Sequence, residues 1–381
     1  MAAAVLLPIP PSLLFAAASL TLAAIAHLLH LPSLLLFSLH TYIHPDSVPS
    51  STPRAVLRPP NSKHSRNGNG AAAAQSPFDD GSNSAQLYRL RLSHSALSTR
   101  PQFAGFHLSI LIPIALLPPA LLIPSSAASP LAPLPAVAFL FVSLLPSPRA
   151  GAGAAAQFAG AMGALLVATV MSSSPFAGAV ASLAAVPATR FARAFWLGTD
   201  QPRSGLAVLA SSAPARLVLY LSVIVSSAAS IVRFCGLGLL DAPEMEVRVL
   251  AVAAGLQILA SRAAVQMYLN EAVFCWYQRL HVSRSPDTEY GRAKVFLHNH
   301  HLCAVATQLV APPLLVLSLL ALWRVQGKEY FEGVEELDWL VGWSVAMKEA
   351  ALLAARWIVA VWSSVTVGTL VFYKRGWLFV L

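Results

Sequence analysis

Residues 302–323 read LCAVATQLVAPPLLVLSLLALW, 22 positions without a charged side chain. A helix needs about 20 predominantly apolar residues to cross a hydrocarbon core of about 30 Å. Comparable runs recur near 12–39, 103–123, 131–145, 154–173, 176–190, 213–234, 249–270 and 345–373, which makes nine candidate spans. Lipid offers no partner to bare backbone N–H and C=O groups, so such segments fold as helices. Composition agrees, with 11% charged residues where soluble domains have about a quarter. The expected fold is all-α, a polytopic membrane helix bundle of about nine transmembrane helices within a range of 7 to 10, because 131–145 and 176–190 are short for a full crossing.

The net charge of +9 does not point to nucleic acid, since the Lys and Arg residues sit at the borders of apolar runs and form no block. Counted over alternate loops they divide 17 to 4. The richer side receives residues 54–100, Arg149, Arg190, Arg193, Arg203, the 271–301 stretch and Lys374 with Arg375. By the positive-inside bias that side is cytosolic. Nine spans then put the amino end outside and the carboxyl end in the cytosol, and the acidic stretch GKEYFEGVEELDW outside. The first 53 residues hold no Lys or Arg, so the basic region of a secretory signal and the Arg-rich face of a transit peptide are both missing. The opening segment, 1–43, is expected to be a retained span, in an endomembrane or plasma membrane rather than a chloroplast or mitochondrion.

Residues 44–102 are rich in Ser, Asn, Gly and Pro and lack apolar periodicity, as expected of a disordered cytosolic loop. Within it AQLYRLRLSHSAL has the pattern of a short interfacial helix, with Leu87, Leu90 and Leu97 toward lipid and Arg89 and Arg91 toward phosphate. Residues 103–381 form the main bundle, interrupted by a cytosolic linker near 271–301. The ladder of small residues from Ala152 to Ser172 is a packing face. Cys235, Cys275 and Cys303 show no CxxC spacing and read as small apolar helix residues.

The segment from Pro243 to Leu280 runs without a helix breaker. Pro suits a first turn, and Glu244 and Glu246 complement the positive end of the helix dipole. Arg262, Gln266 and Asn270 recur at i+4 and make one polar stripe, with Gln257 and Ser261 on another face. An Arg inside a span must face protein, water or a headgroup. Such a stripe serves either to line a polar path or to hydrogen-bond a neighbouring segment. A second long helix is expected from Trp339 to Tyr373, carrying Glu349 near the outer interface and Arg356 deeper. Glu349 reads as the principal acid among mostly positive embedded charges, and Trp339, Trp343, Tyr373 and Trp377 as interfacial anchors.

Histidines gather at the same borders: HTYIH supplies His40 and His44, and HNHH supplies His298, His300 and His301. On a helix the first pair would point the same way, a geometry metals use. The two stretches together resemble the histidine boxes of membrane di-iron desaturases and hydroxylases. That resemblance would imply a metal-dependent enzyme, although H-x-HH departs from the family spacing and a third box is absent. Imidazoles are equally at home at a headgroup boundary. RLHVSRSPDTEYGRAKVFLHNHH and the apolar run after it, residues 279–323, resemble multi-pass membrane proteins of land plants without an assigned function.

Three function classes are compatible with these features. A carrier or channel for a small anionic solute would use Arg262, Gln266, Asn270, Glu349 and Arg356. A non-catalytic membrane scaffold or assembly protein would use the short loops. A metal enzyme would use His40, His44, His298, His300 and His301. No catalytic set is recognisable and no cofactor is expected outside the metal reading. The expected partners are the lipid bilayer and anionic headgroups.

Overall fold

The computed structural model describes residues 11–43, 88–122, 133–145, 162, 175–200, 212–234, 242–282, 288–325 and 338–378. Among them are eleven helices and one two-stranded sheet. The helices are α1 (Pro11–Leu28), α2 (Leu31–Leu34), α3 (His94–Ser98), α4 (Phe103–Leu122), α5 (Leu134–Leu144) and α6 (Pro175–Asp200), followed by α7 (Ala213–Phe234), α8 (Pro243–Val282), α9 (Thr288–His300), α10 (Leu302–Val325) and α11 (Asp338–Lys374). The strands are β1 (His40–Ile43) and β2 (Tyr88–Arg91).

Five of these, α4, α7, α8, α10 and α11, are long and apolar enough to cross a membrane. The four other sequence-derived spans fare differently. The segment 12–39 is not one helix: α1 stops at Leu28, His30 turns into the left-handed region at φ 51°, and Pro32 lies in the first turn of α2. Proline suits the first turn of a new helix, where its missing N–H has no intrahelical partner to lose, so Pro32 favours a fresh start over a continuation of α1. The segment 131–145 yields the 11-residue α5, closed at Leu145, whose extended ψ of 126° is what the following Pro146 favours. The segment 176–190 is part of a 26-residue α6 that also carries Arg190 and Arg193. Residues 154–173, with their ladder of small side chains, lie outside the described residues apart from Met162.

The two long helices expected from the sequence form as single elements. α8 opens on Pro243 with Glu244 and Glu246 in its first turn and runs 40 residues. At 1.5 Å per residue a helix of this length spans about 60 Å, far more than a hydrocarbon core of about 30 Å. α11 runs 37 residues. At the centre is α10, 89% of whose apolar window is buried, packed by α4, α5, α8 and α11. α7 is peripheral, 28% buried, and exposes Leu217, Ile224 and Ile231 at seven-residue steps along one face. A continuous apolar stripe of that kind is a lipid contact.

Between spans the polar groups pair across helices. Gln257 Nε2 donates to Ser226 Oγ at 2.9 Å, and the Ser230 and Ser363 hydroxyls meet at 3.1 Å. Prolines inside α4, α6 and α10 are accommodated without cis peptide bonds, as buried apolar helices in bundles allow.

Side-chain contacts fix the relative direction of the helices. Thr366 Oγ1 reaches Ala188 O at 3.5 Å while Trp196 stacks on Tyr373, so α6 and α11 run parallel. Arg356 meets Glu246 near the start of α8, and Arg193 meets Glu271 toward its other end, so α8 runs with them. Arg100, just ahead of α4, bonds Asn299, just ahead of α10, so those two start at the Glu271 end and run the opposite way. His27 near the end of α1 meets His107 near the start of α4, which turns α1 back into the direction of α8. We call the end holding Glu271, Asn299 and Tyr373 the base.

Candidate functional site

The polar stripe of α8 lies against the chain that leads from α2 into β1. Arg262 donates from Nη1 to Leu34 O at 2.8 Å and from Nη2 to Phe37 O at 3.0 Å. These carbonyls lie at and beyond the end of α2, where a helix leaves acceptors unpaired. One turn on, Gln266 Oε1 accepts from His40 N at 2.8 Å, and its Nε2 donates to His40 O at 3.0 Å and to Asn270 Oδ1 at 2.9 Å. A further turn on, Asn270 Oδ1 accepts from the Tyr42 hydroxyl at 3.0 Å. The i+4 spacing of the stripe thus tracks a strap, residues 34–42, that leaves α2 through turns at 35–38 and becomes extended at β1.

β1 pairs antiparallel with β2, His40 opposite Arg91 and Ile43 opposite Tyr88. A two-stranded ribbon has two free edges that must be satisfied or covered. Gln266 occupies one edge of β1 at His40, and Asn299 continues the work at Tyr42. Asn299 Nδ2 donates to Tyr42 O at 2.9 Å, and Asn299 Oδ1 accepts from Thr41 Oγ1. Arg100 Nη1 in turn donates to Asn299 O at 2.6 Å. Thr41 and Tyr42 are buried. Burial raises the Tyr42 hydroxyl above its ordinary pKa, partly offset by Arg89, while burial and then Arg89 and Arg91 hold His40 below its own.

His40–Ile43 is therefore a strand and not a helix, and positions four apart along a strand lie about 13 Å apart, at about 3.3 Å per residue, rather than one helical turn apart. His44 lies outside the described residues. β2 and α3 replace the single surface helix read from AQLYRLRLSHSAL. Leu97 is fully buried in the protein core where lipid contact was expected, Leu90, Arg89 and Arg91 are exposed, and the Leu87 side chain is outside the described residues.

At the base, Glu271 Oε1 lies 2.6 Å from Arg193 Nη2 and 3.8 Å from His298 Nε2. His298 stacks on Tyr268 with ring centroids 4.6 Å apart, and its Nδ1 is 2.9 Å from Lys294 O, so Nδ1 carries the proton. The three histidines of HNHH diverge: His298 is buried in this cluster, His300 is exposed and stacked on Phe296, and His301 is half-buried. Burial, then His300, Arg190 and His298, hold His301 below the ordinary imidazole pKa. Tyr373 is buried against Trp196, while Trp377 is 69% exposed, so the anchor reading suits only the latter; the Trp339 and Trp343 side chains lie outside the described residues.

At the opposite end, Arg356 clasps Glu246 with both arms, Nε to Oε1 at 2.5 Å and Nη2 to Oε2 at 2.6 Å. Glu349 is exposed, and Lys348 Nζ sits 4.8 Å from the Trp323 ring centroid. Among the described residues the buried acids are Glu246 and Glu271, with Glu349 exposed. Asn299, Arg100 and Glu271 were invisible to sequence reasoning, because their partners lie up to 258 residues away. A second histidine group was also missed: His27 Nδ1 is 3.2 Å from His107 Nε2, and the His30 and His94 rings stack at 3.9 Å. Among the described residues no three His, Cys, Asp or Glu side chains are placed to hold one metal ion. Cys275 and Cys303 are free, buried thiols.

Comparison with protein-family models, with curated proteins and with solved structures finds no match to this chain.

Proposed function

We propose that this chain is a multi-pass integral membrane protein with a non-catalytic scaffold role, built to hold a strap and ribbon against one end of a helix bundle. The observation that carries this reading is the use of the embedded polar groups. Arg262, Gln266 and Asn270 bond the 34–42 strap, and Arg356 bonds Glu246. Four of the five residues that motivated a carrier or channel therefore spend their hydrogen bonds on the protein itself, and the fifth, Glu349, is at the surface. The kinship with land-plant multi-pass proteins read from residues 279–323 belongs to the same proposal.

The helix directions bear on the topology. With α4 running opposite to α6, an even number of crossings separates them. Counting α1 and α6 with the five long apolar helices gives seven crossings, or nine with one further pair between α4 and α6. Either number puts the two ends of the chain on opposite faces, and the 17 to 4 division of Lys and Arg favours a cytosolic carboxyl end.

The test pairs two measurements on Arg262→Leu. A scaffold loses thermal stability and protection of the 34–42 strap. A carrier keeps its assembly and loses anion flux in proteoliposomes. A stable, fully assembled Arg262→Leu protein whose wild-type flux has vanished would overturn the scaffold reading.

A further inference from the structure

Four histidines meet where α1, α2, α3 and α4 converge near the base. His27 comes from the last turn of α1, His94 opens α3, and His107 lies in the second turn of α4. His30 stands between α1 and α2, on left-handed backbone at φ 51°. His27 Nδ1 is 3.2 Å from His107 Nε2, the His27 and His30 ring centroids are 6.4 Å apart, and the His30 and His94 rings stack at 3.9 Å. These imidazoles tie the α1–α2 turn to α3 and α4.

The contacts limit how many protons the corner can hold. Only one hydrogen fits in the 3.2 Å gap between His27 and His107, and the other ring nitrogen of His107, Nδ1, is buried without a hydrogen-bond partner. Two neutral rings bring two N–H hydrogens in all. Whichever ring donates, a further proton on the pair must either crowd the same gap or leave Nδ1 of His107 as a buried, unpaired N–H, and each of these is costly. At the second pair, Ser33 Oγ donates to His30 O at 2.8 Å, so in its 3.2 Å contact with His94 Nδ1 the ring is the donor. That stack is satisfied while neutral, and charging both rings sets two like charges face to face.

The surroundings supply no carboxylate to absorb such charge. Residues 11–43 and 88–122 contain no Asp or Glu, and neither do α5 and α10, which pack on α4. The titratable groups that adjoining elements add are Arg100, bonded to Asn299 O, Arg262, bonded to Leu34 O and Phe37 O, and Cys303 and Arg324 on α10. Three of these four are cations, which oppose further protonation rather than compensate it.

We propose that this corner is an acid-released latch: protonation of His27, His30, His94 and His107 frees the α1–α2 turn from α3 and α4, while Gln266 and Asn299 keep β1 in place. The latch does not depend on whether the protein is a scaffold or a carrier.

The test uses the full chain in neutral detergent, spin-labelled at Leu28→Cys and Ala104→Cys, both exposed positions. Cys235→Ser removes one native thiol, and Cys275 and Cys303 are buried. Dipolar broadening between the labels and helical circular dichroism are read at about pH 7.5 and about pH 5, on either side of the ordinary imidazole pKa of about 6.5. Broadening at the higher pH should be lost at the lower one and return on back-titration, with the helical signal unchanged. A His94→Phe, His107→Phe double variant has no second imidazole in either pair and should keep its broadening at both pH values. If that variant does not fold, either single substitution serves and should retain part of the broadening in acid. His40→Gln with His301→Gln changes imidazoles outside the corner and should leave the transition as in the wild type. The proposal is overturned if the wild type gives the same spectrum at both pH values, if the Phe variants lose broadening as fully as the wild type, if the His40 and His301 variant abolishes the transition, or if the helical signal falls together with the broadening.

Discussion

Glu246 and Glu271 are both buried acids on the same helix, 3% and 10% exposed at the side chain, and their surroundings are opposite in kind. Glu246 has its two oxygens filled by the two arms of one arginine, a closed and neutral pair. Glu271 is shared by Arg193 and His298 with further cations close by. The first arrangement locks α8 to α11 through one bidentate pair. The second joins three helices at one carboxylate, Arg193 from α6 and His298 from α9 meeting Glu271 of α8.

The sharpest way to break this comparison is at the closed pair. Arg356→Leu removes the bidentate cation from the buried Glu246 carboxylate, and should lower stability in detergent by about 3–5 kcal/mol. The double variant Glu246→Leu with Arg356→Leu should regain most of the loss, because an apolar pair of similar size replaces the ion pair. A double variant as unstable as the single one would mean that the pair is not the source of the effect. Next in size is Gln266→Leu, which strips partners from His40 N–H and C=O and should cost about 1–3 kcal/mol. Hydrogen exchange at residues 40–43 should rise with it, and unchanged exchange there would sink the strap as an anchored element. Gln257→Leu removes one interhelical hydrogen bond within the spans and is expected to cost only about 0.6 kcal/mol, the typical value for such bonds in membranes, as read by reversible unfolding.

Smaller again is the effect of pH. His40 and His301 are held below the ordinary imidazole value in the folded protein, so between their folded pKa and about 6.5 the unfolded chain binds more protons. The stability they contribute is present above that window and falls as pH drops through it. Unfolding midpoints at pH 7.5 and 5.5 should show the drop, reduced in a His40→Gln, His301→Gln double variant.

Much of the fold could be read from local pattern. The 40 residues of α8 follow from an unbroken apolar run, a first-turn proline and two early acids, all short-range signals. The i+4 stripe of Arg262, Gln266 and Asn270 was likewise legible, as was the alternative that it would bond a neighbour rather than line a path. What it bonds was not. Gln266 meets His40 across 226 residues, and no spacing rule reaches that far. For HTYIH the helix that would bring two imidazoles within one turn is not what residues 40–43 form, because Gln266 and Asn299 favour a strand by supplying its edge partners. Glu271 was passed over because, in sequence, it is one acid ahead of a basic linker; only folding buries it against Arg193.

The pairing of Ile43 with Tyr88 puts the two ends of residues 44–87 side by side, at a place gripped by three side chains of the bundle, Gln266, Asn270 and Asn299. Mechanically this is a docking port with both terminals on one plate. A pull on residue 43 or on residue 88 therefore reaches the bundle through two adjacent points, borne by the same three side chains rather than by two distant helices.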